Sequence, residues 1–167
     1  AVFKPLFDTF SEHPTKVSLI VAPDNTFNIK CWVDAYFSGL YNREPDSSPN
    51  SARSRYGYIT TFGGVPVYWK SQLISEICLS TLHAEYVGLS NALRALIPLR
   101  GMVVNMLDFL ERPTESTPEI YCAIFEDNQG AFLLATNQRL SVRTKYFCVK
   151  YLNFGSSYRV NLISQRS

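Results

Sequence analysis

The chain has 167 residues, of which 46% are hydrophobic and 14% aromatic, enough apolar material for one domain with its own core and too much for a disordered segment. Its net charge of +2 excludes a global field for nucleic acid, so any such affinity must come from a local patch. No apolar run of membrane-spanning length stands out and no cationic start precedes an apolar stretch, so nothing points to secretion or insertion.

The opening "AVFKPLFDTF" lacks an initiator methionine and begins on apolar residues. It reads as the interior of a longer polypeptide, and residues 1–16 are assigned to a preceding region. From Phe27 the pattern sharpens. In "FNIKCWVDAYFSG" strand alternation puts Ile29, Cys31, Val33 and Ala35 on one face and Lys30, Trp32, Asp34 and Tyr36 on the other. Asp34 thus falls late in a strand, on its less apolar face. The polar "NREPDSSPNSARSR" is an exposed loop. "YGYITTF" and "VPVYWKS" are β-rich runs joined by Gly63-Gly64, a two-residue hairpin turn that calls for positive φ. "EICLS" either extends the second run or continues it briefly.

Ser80 or Thr81 can cap a helix starting near Leu82. At 100° per residue Glu85, Leu89, Ala92 and Leu96 share a stripe. A carboxylate on such a stripe must reach solvent or bind a cation. Pro98 is expected to kink the helix, after which "LRGMVVNMLDFL" resumes the period. A loop, "ERPTESTPE", separates it from "IYCAIFED", apolar until its last two residues, which reads as a central strand buried on both faces. Asp127 ends that strand, and Asn128 can cap a short helix, "QGAFLLAT". "YRVNLIS" is a late or edge strand. The order of elements predicts an α/β domain with a mixed central sheet flanked by helices.

Three acids therefore stand at element ends: Asp34, Glu85 and Asp127. Adjacent strands lie about 4.8 Å apart, so if the two strands are neighbours their carboxylates can meet, with the helix presenting Glu85. Such a cluster is stable only around cations, and hard oxygen ligands select magnesium or manganese. Read from the residues alone, three unrelated surface or capping acids account for the pattern as well. The four cysteines, Cys31, Cys78, Cys122 and Cys148, have no metal-knuckle spacing and read as buried thiols of a reducing, intracellular compartment (cytoplasm or nucleus).

The segment from "WVDAYFSG" to "LSTLHAEYVGLSNALR", with "RSRYGYITTF" and "VYWKS" inside it, and the later "EDNQGA" and "RTKYFCVKY" resemble the ribonuclease H domain of copia-type retrotransposon polyproteins. The motifs run in family order over residues 17–154. The resemblance implies a ribonuclease H-like fold over residues 17–167, C-terminally truncated relative to the family, with residues 1–16 as the tail of a reverse-transcriptase or connection region. It also implies two-metal hydrolysis of the RNA strand of RNA–DNA hybrids, with two Mg²⁺ or Mn²⁺ ions held by Asp34, Glu85 and Asp127 as catalytic carboxylates. Asn128 and Gln129 become contacts to an RNA 2′-hydroxyl or to the region of the scissile phosphate, or they simply cap a helix.

The chain departs from the family at several positions. Cys148 stands where the fourth catalytic aspartate belongs and Tyr146 where the pattern has histidine. A thiol with a pKa of about 8.5 is mostly protonated at neutral pH and is a soft, poor partner for magnesium, so activity is expected to be reduced or lost. Tyr36 replaces a second acid, and Leu82-His83 replaces a Thr-Glu pair, which leaves His83 as a helix-start residue near solvent. Arg139, Arg143, Lys145 and Lys150 form one basic cluster, and Arg53, Arg55, Lys70 and Gln72 another. Lys70, Arg143 and Lys145 are the candidate contacts to a hybrid backbone, which is read by shape and 2′-hydroxyls. Trp32 and Trp69 serve either core packing or stacking on nucleotides. Two functions follow: a retroelement nuclease domain, or a non-catalytic module that retains the fold, binds nucleic acid or packs on a reverse-transcriptase partner.

Overall fold

A computed structural model describes residues 21–39, 48, 50–110, 120–136 and 160–164. Among these residues, five strands form one mixed sheet in the order β3-β2-β1-β4-β5: β1 Ile29–Tyr36, β2 Arg55–Phe62, β3 Val65–Leu73, β4 Cys122–Glu126 and β5 Asn161–Ser164. Two helices among the described residues accompany them, α1 Thr81–Phe109 and α2 Gln129–Thr136. The first three strands are an antiparallel meander, while β4 and β5 run parallel to β1. The α/β architecture expected from the sequence is the one observed.

The alternation read in β1 is real. Ile29, Cys31 and Val33 are buried against α1, whereas Lys30, Trp32 and Asp34 are only half-buried. The hairpin closes through Gly63 and Gly64 at φ of 55° and 79°, the left-handed pair of a type I′ turn that matches strand twist. Pro66 sits beside a register irregularity in β3, an edge strand where a missing N–H costs little. The residues of "EICLS" add no strand.

Ser80 is the N-cap of α1, its hydroxyl accepting the His83 N–H at 3.1 Å. The stripe of Glu85, Leu89, Ala92 and Leu96 is buried on the sheet. A Cβ on Gly88 would come within 3.2 Å of Tyr56 Cβ and 3.4 Å of Val33 Cγ2, so the missing side chain sets how closely helix and sheet approach. The helix runs on through Pro98 for 29 residues, and its period resumes beyond the proline as expected. Burial of Leu96 before it and of Val103 and Leu107 beyond it anchors both sides, and this offsets a proline cost of about 3 kcal/mol. One correction concerns its composition. α1 contains a stretch of mean hydropathy 1.2 and is, by length and composition, long and apolar enough to cross a membrane. Its apolar residues Ala84, Tyr86, Val87 and Leu89 are buried in the core. Toward its end, Met102, Met106 and Phe109 are exposed.

The opposite face of the sheet carries one lateral row. Pairing aligns Trp69, Ile59, Trp32, Phe125 and Ile163 across all five strands. Trp32 thus packs within the sheet's own row, and Trp69 at its edge is exposed. Cys31, Cys78 and Cys122 are buried free thiols, as read from the sequence, and burial pushes Cys31 up to about 12 and Cys122 up to about 11, which makes them inert.

Candidate metal centre

β1 and β4 are parallel neighbours in a register that pairs Ile29 with Cys122 and Trp32 with Phe125. Continued by two residues, that register sets Asp34 level with Asp127. Both acids lie on the face of the Trp32–Phe125 stack, because side chains alternate with period two. The first turn of α1 brings Glu85 to the same end of the sheet. One carboxylate oxygen from each of Asp34, Glu85 and Asp127 lies within 4.8 Å of the others. Their environments grade from half-buried Asp34 through buried Glu85 to exposed Asp127. On its other flank Asp34 is level with Gly57 of β2, which offers no side chain there.

The electrostatics of the cluster are unfavourable as it stands. Burial pushes the Glu85 carboxyl up to about 9, and repulsion from Glu126, Asp34 and Asp127 adds to it. Asp34 is raised by burial first and by Asp127 second. Glu85 Oε2 is buried and has no hydrogen-bond partner, an arrangement that costs free energy unless a proton or a cation meets it. Three converging carboxylates with an orphaned buried oxygen fit a hard divalent cation such as Mg²⁺ or Mn²⁺.

Glu126 is a fourth acid that sequence reasoning passed over. It is fully buried, its Oε1 accepts the Asn128 N–H at 3.1 Å, and its Oε2 has no partner. Burial pushes it up to about 8; the Asn128 N–H pulls the other way, and Asp127 and Asp34 add repulsion. Its signal in the sequence was alternation: Glu126 follows Cys122 and Ile124 on one face, so it had to point into the core.

The remaining candidates divide. Asn128 Oδ1 accepts the Ala131 N–H at 3.0 Å, the capping bond expected of it, and Gln129 opens α2. Lys70 belongs to β3, where it is level with Tyr58 on the α1 side of the sheet, a different face from Asp34. Gln72 accepts the Tyr56 hydroxyl, Arg55 donates to Ser71 Oγ and Arg53 to Asn50 Oδ1. His83 is a correction: it is buried, with Nδ1 accepting the Leu79 N–H at 3.4 Å and Nε2 3.7 Å from Glu76. The loop before α1 folds back over it. Arg139, Arg143, Lys145, Tyr146, Cys148 and Lys150 lie outside the described residues.

No family model matches the chain. Over 120 residues, 71% of its length, the chain is 28% identical to the Retrovirus-related Pol polyprotein from transposon TNT 1-94 of Nicotiana tabacum. It spans about 8% of that polyprotein. Among solved structures it is similar to the N-terminal RNase H domain of a Mycobacterium tuberculosis protein, with 13% identity, 84% of each chain covered and a TM-score of 0.45. It is also similar to LC11-RNase H1, isolated from compost by a metagenomic approach, with 14% identity, 84% of this chain and 86% of that one covered, and a TM-score of 0.49.

Proposed function

We propose that this chain, a ribonuclease H-like domain related to a retrotransposon Pol polyprotein, is a metal-dependent nuclease domain of RNA–DNA hybrids whose activity is lowered by the loss of one ligand. The observation that carries the reading is the convergence of Asp34, Glu85 and Asp127 within 4.8 Å. Asp34 and Asp127 would face the ions from the strand ends, and Glu85 from the helix. Bound there, divalent ions supply an activated water and neutralise charge on the phosphodiester being cut. The chain's own part is to hold the three oxygens ready before the ions arrive. Sheet pairing fixes two of them and the Ser80 cap fixes the helix that brings the third.

Cys148 is the reason to expect weak turnover. If its carboxylate counterpart is worth about 4 kcal/mol at the transition state, its loss slows the reaction by about a thousandfold. Basic residues Arg143 and Lys145 would then track the hybrid backbone, while Lys70, on the opposite face of the sheet from Asp34, would not; Asn128 and Gln129 would meet the strand near the cut, and residues 1–16 would be the tail of an upstream reverse-transcriptase region. The second reading, a non-catalytic module that binds nucleic acid or packs on a polymerase, is favoured by the same thiol.

A hybrid-cleavage assay in Mg²⁺ and then Mn²⁺ tests the proposal. Cleavage that is lost in Asp34→Asn and raised in Cys148→Asp supports it. Hybrid binding that weakens with salt, without cleavage in either metal, supports the module instead.

A further inference from the structure

The face of the sheet that carries Asp34 and Asp127 also carries a cation. Asp34 of β1, Gly57 of β2 and Ser71 of β3 are level with one another, and one step along the strands Tyr36 is level with Arg55 and Arg55 with Leu73. Side chains alternate with period two, so Tyr36 and Arg55 stand on the same face as Asp34. Arg55 is exposed, and its Nη1 donates to Ser71 Oγ at 3.4 Å. That bond turns the guanidinium back toward the level of Asp34, on the far side of Gly57. Acid and guanidinium are thus two strand spacings apart, about 10 Å, with bare backbone between them. Among the described residues Arg55 pairs with no carboxylate, and most of its N–H fork is left open.

Tyr36 is fixed beside it. Its ring lies over Gly39, where a Cβ would collide with it. The turn that brings Gly39 there is tied down by the Ser38 N–H, which donates to Oγ of the buried Ser54 at 3.1 Å. The ring is held in this way and is still 57% exposed. An acid at this position, directly opposite Arg55, would take up the guanidinium in a cross-strand ion pair. Tyrosine leaves that charge free and adds a flat apolar surface. The other cations of the neighbouring strands do not share this place: Lys70 faces α1 and Lys30 lies toward the other end of β1.

We propose that Arg55 and Tyr36 form a second substrate contact, in which Arg55 grips a phosphate of the bound duplex beyond Gly57 and Tyr36 rests against the adjoining sugars. This rests on the reading of Asp34, Glu85 and Asp127 as a metal site acting on RNA–DNA hybrids. A guanidinium meets a phosphate with two parallel hydrogen bonds. Held at that point, the backbone crosses Gly57 and lies over the acids, whose own charge would otherwise push it away.

Binding of an RNA–DNA hybrid is read by fluorescence anisotropy over a range of salt, with Ca²⁺ in place of Mg²⁺ to keep the strands uncut. The wild-type chain is compared with Arg55→Gln, Tyr36→Asp and Asp34→Asn, each also titrated with Mn²⁺ alone and melted thermally. Arg55→Gln is expected to bind the hybrid about tenfold more weakly, the low end for a hydrogen bond to a charged group. The slope of log affinity against log salt should fall by about 1, as for one lost phosphate contact, with Mn²⁺ affinity unchanged. Tyr36→Asp should lose hybrid affinity as well, because its carboxylate captures Arg55. Wild-type affinity and salt slope in both variants overturn the contact and leave the metal site standing. Unchanged hybrid binding with tighter Mn²⁺ binding in Arg55→Gln also overturns it, since the arginine then only offsets the charge of the acids. Equal Mn²⁺ affinity in the wild-type chain and Asp34→Asn overturns the metal site, while the salt slope still decides the contact. A wild-type chain that binds no hybrid at low salt overturns both. Should Arg55→Gln not fold, Arg55→Lys keeps the charge without the fork and is expected to retain the salt slope but lose affinity; wild-type affinity there overturns the two-bond grip on the phosphate.

Discussion

Trp32 and Phe125 stack across the β1–β4 boundary with ring centroids 5.2 Å apart and planes 12° from parallel. They lie two residues before Asp34 and Asp127, so the stack holds the parallel register that makes those acids level. Trp32→Ala is therefore expected to lower the unfolding free energy by about 2 kcal/mol, the order for a half-buried aromatic and its ring partner. It should also weaken Mn²⁺ binding. Urea denaturation and a metal titration check this, and a variant with unchanged affinity would separate the stack from the site.

The metal-free protein should be most stable in mild acid. Glu85 is raised from an ordinary 4.5 to about 9 and Glu126 from 4.5 to about 8. The folded state thus binds protons that the unfolded chain releases, and its stability falls as pH rises between about 4.5 and about 9. The melting temperature in a chelator is expected to drop across that window, and Mg²⁺ or Mn²⁺ should flatten the slope by compensating the ionised carboxylates. Glu85→Gln should shrink the slope without metal. A melting temperature that climbs from pH 5 to pH 9 would contradict these shifts.

Ser80 bears on Glu85 through the helix they share. Ser80→Ala removes the acceptor for the His83 N–H and is expected to cost about 1 kcal/mol, while Ser80→Asp should recover most of it. Chemical denaturation of the pair reads this directly.

At Gly88 α1 lies close against the sheet. A leucine there would drive into Tyr56 and Val33 and is expected to destabilise by about 1–3 kcal/mol through overpacking. Because α1 carries Glu85, the same variant should bind Mn²⁺ more weakly than its stability loss alone explains.

Much of this was legible in the sequence because local rules sufficed. Period-two alternation placed Cys31 and Val33 inside, Gly63-Gly64 named its own turn, and the Glu85–Leu96 stripe gave the buried face of α1. What escaped depended on long-range packing. His83 is buried because the preceding loop folds onto it, which no helix pattern foretells. Glu126 was readable as inward-facing, yet only the adjacency of β1 and β4 shows which acids it faces.

Gly57 bears on the geometry of approach. Beside Asp34 the second strand contributes only backbone, so on that shoulder the acids sit on a ledge. Under the proposed reading, a duplex can lie along the ledge sideways and present an internal linkage, with no need to thread a free end. Gly57→Val, whose Cβ would find Lys70 O at an ordinary 3.5 Å, should fold well and yet crowd long hybrids more than short ones, a length dependence that cutting from a terminus would not show.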